Sequence, residues 1–153
     1  MTELLERQAS DRRHFGQTRI HAMMESRNQT LRLYAELATH RPYNKTPQLQ
    51  DELHRFCQAL IDYTASAHFQ LYHKVAEGQE HRVAANQVAE QIYPTIAQST
   101  DLFLEFNDRY GEDQEQDYQQ LENRLSTLGE RLASRIELED KMLTALQQDR
   151  RAH

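Results

Sequence analysis

Eight histidines and 24 carboxylates supply donors enough for a metal centre, and their spacing is the first thing to test. His21 and Glu25, and again His73 and Glu77, stand four residues apart, which puts each pair on one helix face and resembles hemerythrin-like sites. The Glu-x-x-His pair on which di-iron carboxylate bundles rely is absent. In a chain so rich in both residue types, two such pairs are better explained by chance, and helical rotation turns His73 away from the apolar side of its segment. The single cysteine, Cys57, falls on an apolar stripe, where it behaves as a small hydrophobe rather than a nucleophile. There is no glycine-rich phosphate loop and no nucleophile elbow. No catalytic residue, metal or cofactor is assigned, and the chain is read as a protein that is not an enzyme.

Those residues must be carried by helices. The 153 residues suit one domain, residues 1–153 with a core over about 15–147. Glycine and proline together number only seven, too few for a turn-rich sandwich or barrel. Breakers mark three connections, Arg41 to Pro47, Glu77 to Glu80, and Tyr110 to Asp113, and Pro94 interrupts the third segment between them. Between them the apolar residues recur at three- and four-residue steps. Segment one shows Ile20, Met24, Leu31, Tyr34 and Ala38. Segment two shows Leu53, Phe56, Cys57, Leu60, Ile61, Thr64, Leu71, Tyr72 and Val75. Ile96, Phe103, Phe106 and Tyr110 follow in segment three, and Leu121, Leu125, Leu128, Leu132, Met142 and Leu146 in segment four. Four amphipathic helices on short turns predict an all-α, up-and-down four-helix bundle, with extra short helices allowed at the N-terminus and before Pro94.

The pattern is broken in two informative ways. The seam of segment four passes through Arg135 and Glu139, an i,i+4 pair, that of segment one through Arg27, and that of segment three through Ser99, while His68 borders the apolar face of segment two. Arg27, His68, Ser99, Arg135 and Glu139 are therefore expected as an interior polar layer, which fixes register if each charge is paired. On the other side of segment two lie Asp62, Ala65, Ser66, Phe69 and His73. A phenylalanine beside small residues, with a carboxylate two turns back, has the make-up of an aromatic anchor for a protein partner, or else is one of the scattered apolar residues that any surface carries.

Charge and composition narrow the class further. A formal charge of −6 disfavours a direct grip on nucleic acid. From Gly111 to Asp140 nine acids face three bases, read mainly as a solvated loop and helix start, or else as an edge that attracts a basic partner. With one cysteine, no apolar leader at the N-terminus and no run of 18 apolar residues, the expected location is the cytoplasm, away from membranes.

The string Phe56-Cys57-Gln58-Ala59-Leu60-Ile61-Asp62-Tyr63, followed by His68-Phe69 and Tyr72, resembles the central helix of the Rsd/AlgQ family of bacterial transcription regulators. Ile92-Tyr93-Pro94, Phe106-Asn107-Asp108, and Leu128-Gly129-Glu130 through Arg135 to Leu138-Glu139-Asp140 agree in order and spacing. This resemblance implies an anti-sigma factor without cofactor, binding region 4 of the primary sigma factor one to one and competing for it with core polymerase and the −35 element. It also implies that Asp62 lies on the sigma-binding surface. The chain departs from the family pattern at Ala65, usually serine, at Ala67, usually glycine, and at His21-Ala22-Met23-Met24, which replaces a common Asp-Arg-Trp-Leu. The rival reading is a small hemerythrin-like or di-iron bundle, and a third is an oligomeric scaffold.

Overall fold

The computed structural model describes residues 2–77 and 82–152, with side chains from Arg19 onward except at Lys74 and Ala152. Of the expected second connection, Gly78, Gln79 and Glu80 lie outside the described residues. The described chain is helical: α1 (Thr2–Ala38), α2 (Pro47–Ala67), a π-helical turn π1 (His68–Tyr72), α3 (His73–Glu77), α4 (Val83–Phe106), a second π turn π2 (Asn107–Gly111) and α5 (Leu121–Ala152). Since α2, π1 and α3 run on without a break, as do α4 and π2, the described residues form four rods.

Cross-rod contacts give their directions. His40 meets Glu52 while Thr30 meets the Ala59 carbonyl. Phe56 packs on Phe106 while Tyr72 packs on Tyr93. Asp149 meets Ala84 while Arg135 meets Thr100. Tyr34 reaches Leu125 while Arg27 reaches Asp140. In each pair one residue number climbs as the other falls, so successive rods are antiparallel and the fourth closes on the first. This is the expected bundle.

Local chemistry sets the helix ends. At the start of α2, Thr46 is extended (φ −121°, ψ 157°), its hydroxyl accepts from the Leu49 N–H at 3.2 Å, and Pro47 occupies the first turn, where no donor is needed. The N-terminus of α4 is capped from another rod: the buried Asp149 carboxylate of α5 accepts from the N–H groups of Ala84 and Ala85, each at 3.0 Å. Pro94 does not start a separate helix, because it and Glu90, whose carbonyl loses its partner, are both exposed to solvent. Nor does a separate N-terminal helix precede α1, which runs unbroken from Thr2.

The core follows the expected seams of α2, α4 and α5: Leu53, Phe56, Leu60, Phe103, Leu121 and Leu128 are all fully buried. In α1 the seam is displaced by one position. Met23, Arg27, Thr30 and Leu37 face inward, whereas Leu31 is 38% exposed and Met24 only partly buried. Thr30 can take an inner position because its hydroxyl lies 2.9 Å from the Ser26 carbonyl and 3.1 Å from that of Ala59. Met23, where the family pattern has tryptophan, is a core residue and not a surface contact.

Close packing of α1 on α5 depends on Gly129. A Cβ there would stand 2.6 Å from Cζ of Tyr34, whose hydroxyl donates to the Leu125 carbonyl at 3.0 Å. Gly129→Ala is therefore expected to push the Tyr34 ring out, lose that bond and cost about 1 to 3 kcal/mol in chemical denaturation. An unchanged unfolding midpoint would contradict the close approach.

Candidate functional site: an exposed groove over a buried charged layer

Where α5 calls for apolar residues it supplies Arg135 and Glu139, which are 1% and 0% exposed. The Glu139 carboxylate is the hub. One oxygen accepts from the Tyr72 hydroxyl at 2.6 Å and from Arg135 Nε at 3.3 Å; the other accepts from the Tyr63 hydroxyl at 2.5 Å, with Arg27 at 3.5 Å. Arg135 donates further to Ser99 at 3.0 Å and Thr100 at 2.8 Å, and lies over the rings of Tyr63, Tyr72 and Phe103 at 5.6 to 5.7 Å. Arg27 also holds Asp140 at 2.9 Å. Arg27, Ser99, Arg135 and Glu139 thus form the expected interior layer. His68 does not join them: it sits at the edge of the apolar face of its rod, where the space toward α4 opens, and is exposed. The second rod contributes Tyr63 and Tyr72 instead, whose phenols are large enough to fill the interior and donate at their tips.

Burial pushes both phenols well above their ordinary 10.0, and the Glu139 charge adds to this while Arg135 opposes it. Burial also pushes the Cys57 thiol from 9.0 up to about 12, consistent with its expected place in the core. Burial works against the Arg135 charge, but the phenols and Glu139 outweigh it, so the guanidinium is held above its usual range. A raised pKa in the folded state means stability fully present below the unfolded value and lost as pH rises through the folded one. Above pH 9 for the thiol and 10 for the phenols, the unfolded chain releases protons that the folded chain keeps. Each such group should lower stability by roughly 1 kcal/mol per pH unit there. Melting temperature is therefore expected to fall steeply between about pH 9 and 11, and less steeply in Tyr63→Phe. Equal slopes in variant and wild type would contradict the buried phenol.

The outer side of the same rod carries the other expected residues. Asp62, Ala65, Phe69 and His73 are exposed and Ser66 is half-buried. Phe69 is 60% exposed, a large apolar surface left to solvent. Its ring meets His68 edge-on at 5.0 Å, and His68 stacks on His73 at 6.3 Å. Gln58 donates to Asp62 at 2.9 Å and steadies that carboxylate. Between this rod and α4 runs a groove of about 250 Å³, walled by Ile61, Phe69, Ile96 and Leu104, edged by His68 and floored by Tyr72 and Arg135. Leu104, 46% exposed, is the apolar counterpart of Phe69 across the opening. Sequence reasoning missed it because it stands beside Phe103, which takes the core position; an apolar residue off the seam was the available signal. Asp101 and Asp108, exposed about a turn to either side of Leu104, add negative charge along that wall.

The remaining candidates are ordinary surface chemistry. His21 with Glu25 (3.2 Å) and His73 with Glu77 (3.0 Å) are exposed side-chain contacts within single helices. Among the described residues no three histidine, cysteine or carboxylate side chains gather as metal ligands, and no helix is long and apolar enough to cross a membrane. In the acidic loop, Glu115 is held by Arg109 at 3.1 Å and Arg124 at 3.3 Å, and Asp113 by His54 at 2.7 Å. Lys45 ties that loop to the first one through the Glu115 and Gln116 carbonyls. These pairings fit the solvated-loop reading of the acidic cluster.

Comparison with known proteins gives a consistent picture. The family model described as "Regulator of RNA polymerase sigma(70) subunit, Rsd/AlgQ" matches residues 2–147. A protein named Regulator of sigma D from Yersinia enterocolitica serotype O:8 is 30% identical over 101 residues, 64% of this chain and 60% of the relative. One of the same name from Yersinia pseudotuberculosis serotype O:1b is 32% identical over 104 residues, again 64% and 60%. A third, from Enterobacter sp. (strain 638), is 31% identical over 124 residues, 76% of this chain and 73% of the relative. The chain thus spans about 60% of the length of the Yersinia relatives it matches. No solved structure matches the chain.

Proposed function

The chain belongs to the Rsd/AlgQ family, matched over residues 2–147, and from that membership we propose that it regulates transcription by binding region 4 of the primary sigma factor one to one. The bound region would be withheld from core RNA polymerase and from the −35 promoter element. The family match across nearly the whole chain carries this reading, and the groove on the second rod supports where it happens. Phe69 and Leu104 offer apolar surface, while Asp62, Asp101 and Asp108 offer negative charge to a helix-turn-helix that must be basic to hold DNA. Ala65, Ser66 and His73 flank the anchor. The activity is binding, and it uses no cofactor.

A competition experiment tests it. A fluorescent −35 duplex bound by a region 4 fragment should be released when the protein is added, reaching completion near one equivalent. Full retention of the duplex at a several-fold excess of folded protein would contradict the proposal.

A further inference from the structure

We propose that Tyr72 is a positioning residue: its hydroxyl, fixed to Glu139, holds the π turn in the form that presents Phe69 to the partner. This rests on the sigma-binding reading of the groove. The geometry begins with Tyr63 and Tyr72, both bonded to the one Glu139 carboxylate, at 2.5 and 2.6 Å. They are nine residues apart, so along an unbroken α-helix their side chains would point about 180° away from each other, and only one could reach it. The π turn His68–Tyr72 absorbs one extra residue. The later side chains then lag by one position, which brings the two tyrosines to within about 80° and both hydroxyls to the hub.

The same turn carries the exposed anchor. Phe69 is 60% exposed while Tyr72, three residues on, is 6% exposed, so the inner end of the turn is pinned and the outer end is offered. The turn is closed by the His73 N–H donating to the His68 carbonyl. It is held from α4 as well: the Tyr93 hydroxyl donates to the Tyr72 carbonyl at 3.1 Å, and the two rings meet edge-on at 6.1 Å. Arg135 over the Tyr72 ring at 5.6 Å completes the clamp. Without the Glu139 bond the Tyr72 hydroxyl loses its acceptor, and only the face of the ring, under Arg135 and against Tyr93, still favours the wider turn. The strand of helix around Phe69 could then slip back toward α-helical phase and rotate His68 and Phe69 relative to Asp62.

Tyr63→Phe is the matched control, because it removes a hydrogen bond to the same carboxylate from α2, outside the turn. Each phenylalanine variant should melt a few degrees lower than wild type. Tyr72→Phe should also bind region 4 at least fivefold more weakly and speed amide exchange across residues 68–73. Tyr63→Phe should bind within twofold of wild type and leave exchange in that stretch unchanged. Tyr93→Phe, a milder change at a half-buried site, should move exchange in the direction of Tyr72→Phe. Equal binding by the two variants, or exchange across 68–73 that ignores Tyr72→Phe, would overturn the assignment. Failure of the wild type to bind would remove the sigma reading, and the exchange comparison would still decide whether Tyr72 sets the turn.

Discussion

Glu139→Ala is expected to destabilise the bundle by about 3 to 5 kcal/mol, because it strands the buried Arg135 charge without a counter-ion. Two phenols lose their acceptor at the same time, and Arg27 keeps only Asp140. Against a total stability of roughly 5 to 15 kcal/mol for a domain, that is a large share, and partial unfolding at 37 °C should be visible by circular dichroism. Removing both charges in Arg135→Met with Glu139→Leu should recover much of the loss, since the cost lies in leaving one partner buried alone. A single variant within about 1 kcal/mol of wild type in urea would mean that the layer is not the closed network described above.

Phe69→Ala should have the opposite profile: little change in stability and a loss of at least about 2 kcal/mol in binding to region 4. The ring is mostly in solvent, so truncating it leaves no cavity. In a complex it is the large apolar group beside Asp62, and an aromatic anchor at the centre of an interface commonly carries much of the binding energy. Asp62→Ala should cost about 1 to 3 kcal/mol if its carboxylate takes a charge-assisted hydrogen bond from the partner. Its effect should shrink as salt is raised, whereas that of Phe69→Ala should not. Wild-type affinity in both variants would move the interface off this face.

Much of this was legible in the residues, for reasons that can be named. Seams in α2, α4 and α5 are regular, and Arg135 and Glu139 stand out because they interrupt a leucine repeat. Helical rotation already puts Asp62 and Phe69 on the outer side, though not at the angle that the π turn gives Phe69. In α1 the reading slipped by one position because Thr30 is polar by type yet satisfied by two carbonyls, while Leu31 is apolar by type yet faces solvent. The π turn left no sign in periodicity, since Leu71, Tyr72 and Val75 still fall at helical steps. With it went the inward place of Tyr63, the meeting of its hydroxyl with that of Tyr72 at Glu139, and the exposed place of His68. Leu104 became visible as a site residue only once α4 was set beside π1.

The most direct test of the central claim is a calorimetric titration of this protein with region 4 of the primary sigma factor from the same organism, at low and high salt. One-to-one binding of submicromolar affinity that weakens as salt rises is the expected result, from an acidic-rimmed apolar groove meeting a basic helix-turn-helix. Absence of heat and of complex at both salt concentrations, with the protein folded, would contradict it.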